Sequence, residues 1–141
     1  MILFFSKTKF HLYKKNQKKY WLKEILREEN KKIGDINFVF YDDEQLSFLN
    51  KKYLNHDTLT DIITFDYSEN DILHGDICIS IERIKENAAK FNCTVEEELR
   101  RIMAHGILHL CGYKDKTKEE KQLMKQKEEN ALNLFNYLYN F

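Results

Sequence analysis

A chain of 141 residues is long enough to bury one core and too short to divide comfortably, so one domain over residues 1–141 is expected. Its 43% apolar and 33% charged residues, with 8 Tyr and 10 Phe, exclude a disordered chain. Zero formal net charge excludes long-range attraction of the whole molecule to a polyanion or an acidic membrane, but the charge is uneven: residues 1–32 carry ten Lys or Arg against three acids, and residues 33–76 two against ten.

Residues 2–5 read as a short opening strand. The apolar run Met1 to Phe5 is too brief for the core of a signal peptide, and no run approaches membrane-spanning length, so no membrane partner is expected. Residues 14–30 place Trp21, Leu22, Ile25 and Leu26 on one face of a helix whose lysines are expected to point to solvent. Trp21 beside Lys18, Lys19 and Tyr20 suggests stacking on bases, but it shares its face with Ile25 and Leu26 and is read as core. Ile36 to Tyr41 is a buried strand, and Asp42 then caps a helix through Leu46, Leu49 and Tyr53. That helix ends in the polar turn Asn55-His56-Asp57-Thr58.

Ile62 to Phe65 and Ile77 to Ile79 give two more strands, separated by an acidic connection from Asp66 to Asp71. Helices are expected over 81–92, from 95 to about 111 and from 118 to about 138. The last two open with Thr94-x-x-Glu97 and Thr117-x-x-Glu120, in which hydroxyl and carboxylate each satisfy a free backbone N–H. The result is an α+β (α/β) fold, a single compact domain with a mixed sheet of about four strands packed by helices. Cys78, Cys93 and Cys111 are odd in number and widely spaced, which suggests neither a disulfide framework nor a cysteine zinc site and fits a reducing cytoplasm.

The chemistry concentrates in one helix. His105 and His109, four residues apart, lie one turn up the same face, about 6 Å along the axis, and can present imidazole nitrogens to one ion. Gly112 lets the helix stop and the chain reverse, which could return Asp115 to the same ion. The H-x3-H-x5-D pattern resembles that of metzincin peptidases, but these carry a Glu base directly after the first His, where this chain has Gly106. Peptide hydrolysis is therefore disfavoured. Two imidazoles and a carboxylate suit one Zn2+ and would accept other divalent transition metals, and three protein ligands leave a position open for hydrolytic chemistry. No organic cofactor is expected.

The surrounding residues resemble the YbeY-type endoribonucleases, metal-dependent enzymes that mature ribosomal RNA. The resemblance rests on four elements in order: Leu49-Asn50-Lys51-Lys52-Tyr53, Thr60-Asp61-Ile62-Ile63-Thr64-Phe65, Gly75-Asp76-Ile77-Cys78-Ile79, and His105-Gly106-Ile107-Leu108-His109-Leu110-Cys111-Gly112-Tyr113. It spans roughly residues 33 to 138. It implies one YbeY-like domain with one metal, usually zinc, and a cleft where single-stranded RNA is cut, at the 3′ end of small-subunit ribosomal RNA and in ribosome quality control. The implied partners are ribosomal RNA and the small ribosomal subunit, in the cytoplasm.

Two positions depart from the family pattern. Asp115 stands where the family has its third ligating histidine, preceded by Lys114 in place of an Asp, and carboxylate oxygen remains a good ligand at nearly the same length. Leu54 stands where the family has an arginine thought to help catalysis, and Lys51, Lys52, Lys114 and His56 are the candidates to replace it. The general base and any catalytic side chain stay unassigned. Asp61 and Asp76 are candidates either to orient a ligating His or to serve strand-end hydrogen bonds. Competing readings are a non-catalytic, ribosome-associated RNA-binding factor with a structural metal, docking through the basic helix at 14–30, and a metal-dependent hydrolase of another substrate.

Overall fold

In chain order the elements are β1 (Ile2–Ser6), α1 (Lys15–Glu28), β2 (Lys32–Tyr41), α2 (Asp43–Leu54), β3 (Ile62–Asp66), β4 (Ile72–Ser80), α3 (Ile81–Lys90), α4 (Val95–Leu110) and α5 (Lys118–Tyr139). They come from a computed structural model that describes residues 1–56 and 59–139. The strands form one mixed sheet in the order β1-β2-β4-β3, with β1, β2 and β4 parallel and β3 antiparallel along the edge. The expected α+β domain is thus present, and each expected element is found.

β2 and β4 begin several residues earlier than their apolar runs suggest. Lys32 pairs with Ile72 and Ile33 with Leu73, ahead of an irregularity before Ile36. Lys32, Gly34, Asp35 and His74 are weak strand formers, and pairing with a neighbouring strand overrides their preference. The alternation of strand side chains then sorts the two faces. Ile36, Phe38 and Phe40 of β2 and Ile77 and Ile79 of β4 join the main core with α1, α3, α4 and α5. Ile63 and Cys78 face the other way and pack on Leu46 of α2.

Trp21 is fully buried, its Nε1–H donating to the Ala131 carbonyl at 2.7 Å, which makes it core and removes it from any stacking role. Burying such a side chain contributes about 1.5–3 kcal/mol. One expectation fails in the same helix. Lys18 does not point to solvent: it is 1% exposed, its Nζ donates to the Tyr13 carbonyl at 2.5 Å, and it pairs with Glu96 at 2.5 Å. The reason is periodicity, since Lys18, Trp21, Leu22 and Ile25 form one i, i+3, i+4, i+7 stripe, and an ammonium on that stripe must be paired to stay buried. The basic face offered for docking RNA is poorer by that charge.

The expected caps form. Asp42 and Gln45 exchange hydrogen bonds at 2.7 and 3.1 Å, Thr94 and Glu97 at 3.0 and 3.1 Å, and Thr117 and Glu120 at 3.1 and 2.8 Å. α2 closes on Asn55 with a φ of 55°, and the expected turn then continues into Asp57 and Thr58, outside the described residues. No helix among the described residues is long and apolar enough to cross a membrane.

α4 runs through the core against β3 and β4. A Cβ at Gly106 would lie 2.8 Å from Cγ2 of Ile77 and 3.1 Å from Cδ1 of Ile62. The glycine that ruled out a peptidase base is therefore what seats α4 on the sheet.

Candidate metal centre

From Arg101 to Leu110, α4 is buried except at Arg101, His105 and His109. Spacing of four makes these three a single row along the helix. The row forms one wall of a cleft of about 710 Å³. Ile62, Thr64 and Asp66 of β3 supply a second wall, and Leu54, Thr60, Asp61, Asp115 and Lys116 complete the rim.

The end of α4 brings in the third side chain. Gly112 has a φ of +106°, its N–H donates to the His109 carbonyl at 3.0 Å, and the Tyr113 N–H donates to the Leu108 carbonyl at 3.1 Å. This pair of bonds is the glycine-dependent stop that turns the chain back on the helix. The reversed Tyr113 carbonyl accepts from Nδ1 of His109 at 2.9 Å, and Asp115 then stands over the two imidazoles. A carbonyl can only accept, so Nδ1 of His109 carries a proton, and in the neutral imidazole Nε2 is the nitrogen with the lone pair. Nδ1 of His105 is held in the same way by Oε2 of Glu128 at 2.6 Å.

Nε2 of His105 and Nε2 of His109 lie 3.3 and 3.4 Å from Oδ2 of Asp115. Three candidate ligand atoms, one from each residue, fall within 4.8 Å of one another. Ligands bound at about 2.1 Å to one tetrahedral ion are about 3.4 Å apart, so the donor set and its spacing fit a zinc-sized ion. His105 is 14% exposed, His109 27% and Asp115 40%, which leaves the Asp115 side open to the cleft.

Behind His105 lies a buried ionic network. Arg101 donates through Nε and Nη2 to Glu98 at 2.9 and 2.7 Å, and through Nη1 to Glu128 at 2.9 Å. Glu98 and Glu128 are both buried. Glu128 is absent from the sequence reading because it is 23 residues from His105. Its signal was available: Met124, Glu128, Ala131 and Phe135 form the buried stripe of α5, and a carboxylate on an apolar stripe needs a partner.

Asp61 and Asp76 take the other of their two anticipated roles. Asp61 lines the cleft, but its Oδ2 accepts from Asn87 at 3.5 Å, and burial pushes its carboxyl above the usual range against the pull of nearby Arg101 and His105. Asp76 accepts from Asn37 at 3.0 Å within the sheet. The groups that orient the imidazoles are Glu128 and the Tyr113 carbonyl. Of the cations named to replace an arginine at Leu54, Lys51, Lys52, Lys114 and His56 do not line the cleft, whereas Arg101 and Lys116 do.

The family model for Endoribonuclease YbeY matches residues 4–136. The chain belongs to the YbeY family. A YbeY endoribonuclease of Flavobacterium psychrophilum is 49% identical over 140 residues, which is 99% of this chain and 100% of that relative. One of Christiangramia forsetii is 51% identical over 134 residues, 95% of this chain and 94% of the relative. A protein of Thermotoga maritima solved in solution superposes with a TM-score of 0.72 at 27% identity, covering 99% of this chain and 92% of the other. The YbeY resemblance of the H-G-x-L-H-L-x-G-Y stretch therefore extends over nearly the whole chain. Within it, the family stretch corresponds here to the second half of α4 and its glycine stop.

Proposed function

We propose that this chain is a metal-dependent endoribonuclease that cuts single-stranded ribosomal RNA, at the 3′ end of the small-subunit RNA, in ribosome maturation and quality control in the cytoplasm. The observation that carries the reading is the convergence of Nε2 of His105, Nε2 of His109 and a carboxylate oxygen of Asp115 on a cleft, in a chain of the YbeY family. Residues 1–141 act as one YbeY-like unit.

His105, His109 and Asp115 would hold one divalent ion, with zinc the ion that best suits two imidazoles and a carboxylate. Such an ion supplies a Lewis acid for a phosphate oxygen and lowers the pKa of water. The protein fixes both imidazoles in the tautomer that offers Nε2, by the Glu128 carboxylate and the Tyr113 carbonyl. Leu54, Ile62 and Ile102 give the cleft apolar walls that limit water, while Thr64 offers a hydroxyl to a backbone or base.

The test is to purify wild type and His109→Ala, measure metal content by mass spectrometry, and incubate each with single-stranded and duplex ribosomal RNA fragments. Wild type is expected to carry one equivalent of metal and to cut the single strand, and His109→Ala to lose both properties. Metal-free wild type, or metal without cleavage, sinks the reading.

A further inference from the structure

Cutting a phosphodiester builds negative charge on the phosphate oxygens, and a fixed guanidinium is the side chain best matched to it. Among the described residues lining the cleft, the Lys and Arg side chains are Arg101 and Lys116. Lys116 sits exposed on the loop after α4. Arg101 stands one turn before His105 in the row that also holds His109, about 6 Å along the helix from His105.

The Arg101 fork is already locked in place. Glu98 takes Nε and one N–H of Nη2, and Glu128 takes one N–H of Nη1. A guanidinium has five N–H donors, so two remain for a third anion. The arginine side chain is 33% exposed, while Glu98 behind it is 2% exposed, so the guanidinium shields Glu98 from the cleft and is the fixed cation set among the Asp61, Asp66 and Asp115 carboxylates that also line it.

We propose that Arg101 is a catalytic residue that donates to the non-bridging oxygens of the scissile phosphate. This rests on the endoribonuclease reading above. In the hydrolysis, the water's hydroxyl ends on phosphorus, the bond from phosphorus to one ribose oxygen breaks, and the water's other proton ends on that oxygen. Arg101 holds its own protons throughout and stabilises the charge that peaks between the two steps. The arrangement also places a guanidinium at the cleft although Leu54, which lines it too, has none to give.

The experiment compares wild type, Arg101→Met, Arg101→Lys and the double variant Leu54→Arg/Arg101→Met in their metal-loaded forms. Metal content, thermal midpoint, kcat and KM on a single-stranded RNA are measured for each. Arg101→Met is expected to keep its metal, to lose about 10²-fold or more in kcat and to bind the RNA more weakly, because the same contact holds the phosphate before the bond breaks. Arg101→Lys, which replaces a planar fork by a point charge, should lose about tenfold. Leu54→Arg should restore at least about tenfold to Arg101→Met by supplying a guanidinium to the same cleft. Near wild-type kcat in Arg101→Met, or a loss that Leu54→Arg leaves untouched, overturns the proposal in favour of a purely structural ion pair. Should Arg101→Met fail to fold, Arg101→Lys decides: unchanged kcat overturns, and a fall at unchanged metal content and midpoint supports. Should wild type cut no RNA, the endoribonuclease reading falls separately. Arg101 is then judged by affinity for a single-stranded oligoribonucleotide, where weaker binding by Arg101→Met supports a phosphate contact and equal binding overturns it.

Discussion

Oε2 of Glu128, on α5, lies 2.6 Å from Nδ1 of His105, on α4, so two helices jointly fix the imidazole that faces Asp115. A carboxylate behind a ligating histidine raises the basicity of its other nitrogen, and losing it typically weakens metal binding 10–100-fold. Glu128→Gln keeps the shape and removes the charge. Its metal affinity, measured by competition with a coloured chelator, is expected to fall within about that range. Unchanged affinity would show that the contact does nothing for the ion.

At Gly106 two effects of opposite sign meet. Alanine gains about 1 kcal/mol of helix propensity over glycine, but its Cβ would press on Cγ2 of Ile77 at 2.8 Å. Ile77 is fully buried and β-branched, so it has little freedom to give way, and overpacking of this kind costs about 1–3 kcal/mol. Gly106→Ala should therefore lower the urea midpoint without changing the slope. A variant as stable as wild type refutes the close seating of α4.

Asp61 gives a pH-dependent test. Its carboxyl is raised mainly by burial, so the folded chain binds the proton more tightly than the unfolded chain does. The ionised form is thus a burden above the raised pKa, and that burden lifts as pH falls through it. In the presence of chelator, Asp61→Asn should be more stable than wild type at pH 7, and the gap should close toward the usual carboxylate range. Thermal midpoints across pH 4–8 measure it, and a gap that widens at low pH contradicts the assignment.

Position 115 separates the reach of the loop from the nature of the ligand. Asp115→Ala should lose most bound metal, whereas Asp115→His should retain it, because nitrogen and oxygen ligands bind zinc at nearly equal lengths. Metal content after dialysis reads both variants. Equal retention by alanine would remove Asp115 from the ligand set.

Much of the fold was legible in the sequence because its signals were local. The boxes at Thr94 and Thr117 and the cap at Asp42 depend on residues three apart, and each forms as spaced. The row of His105 and His109 needed only the helical period, and Gly112 alone marked the reversal toward Asp115. What escaped was set by distance or by polar residues in apolar places. The early halves of β2 and β4 are strands because they pair with each other, and no window containing Lys32 or His74 says so. Lys18 was given to solvent by its charge although its period put it inside, where Glu96, far along the chain, receives it. Glu128 and Arg101 escaped for the same reason, since a buried ion pair between α4 and α5 becomes visible only once the helices are side by side.

The stop at Gly112 decides where the chain goes after α4, and it does so with backbone bonds that ignore which side chains follow. In the proposed metal site the donor at position 115 is consequently free to drift between residues that bind metal, while the count of residues between His109 and 115 is not. Insertions and deletions in this loop are the changes a lineage should be least able to keep. Exchange of one donor for another is the change it should tolerate best.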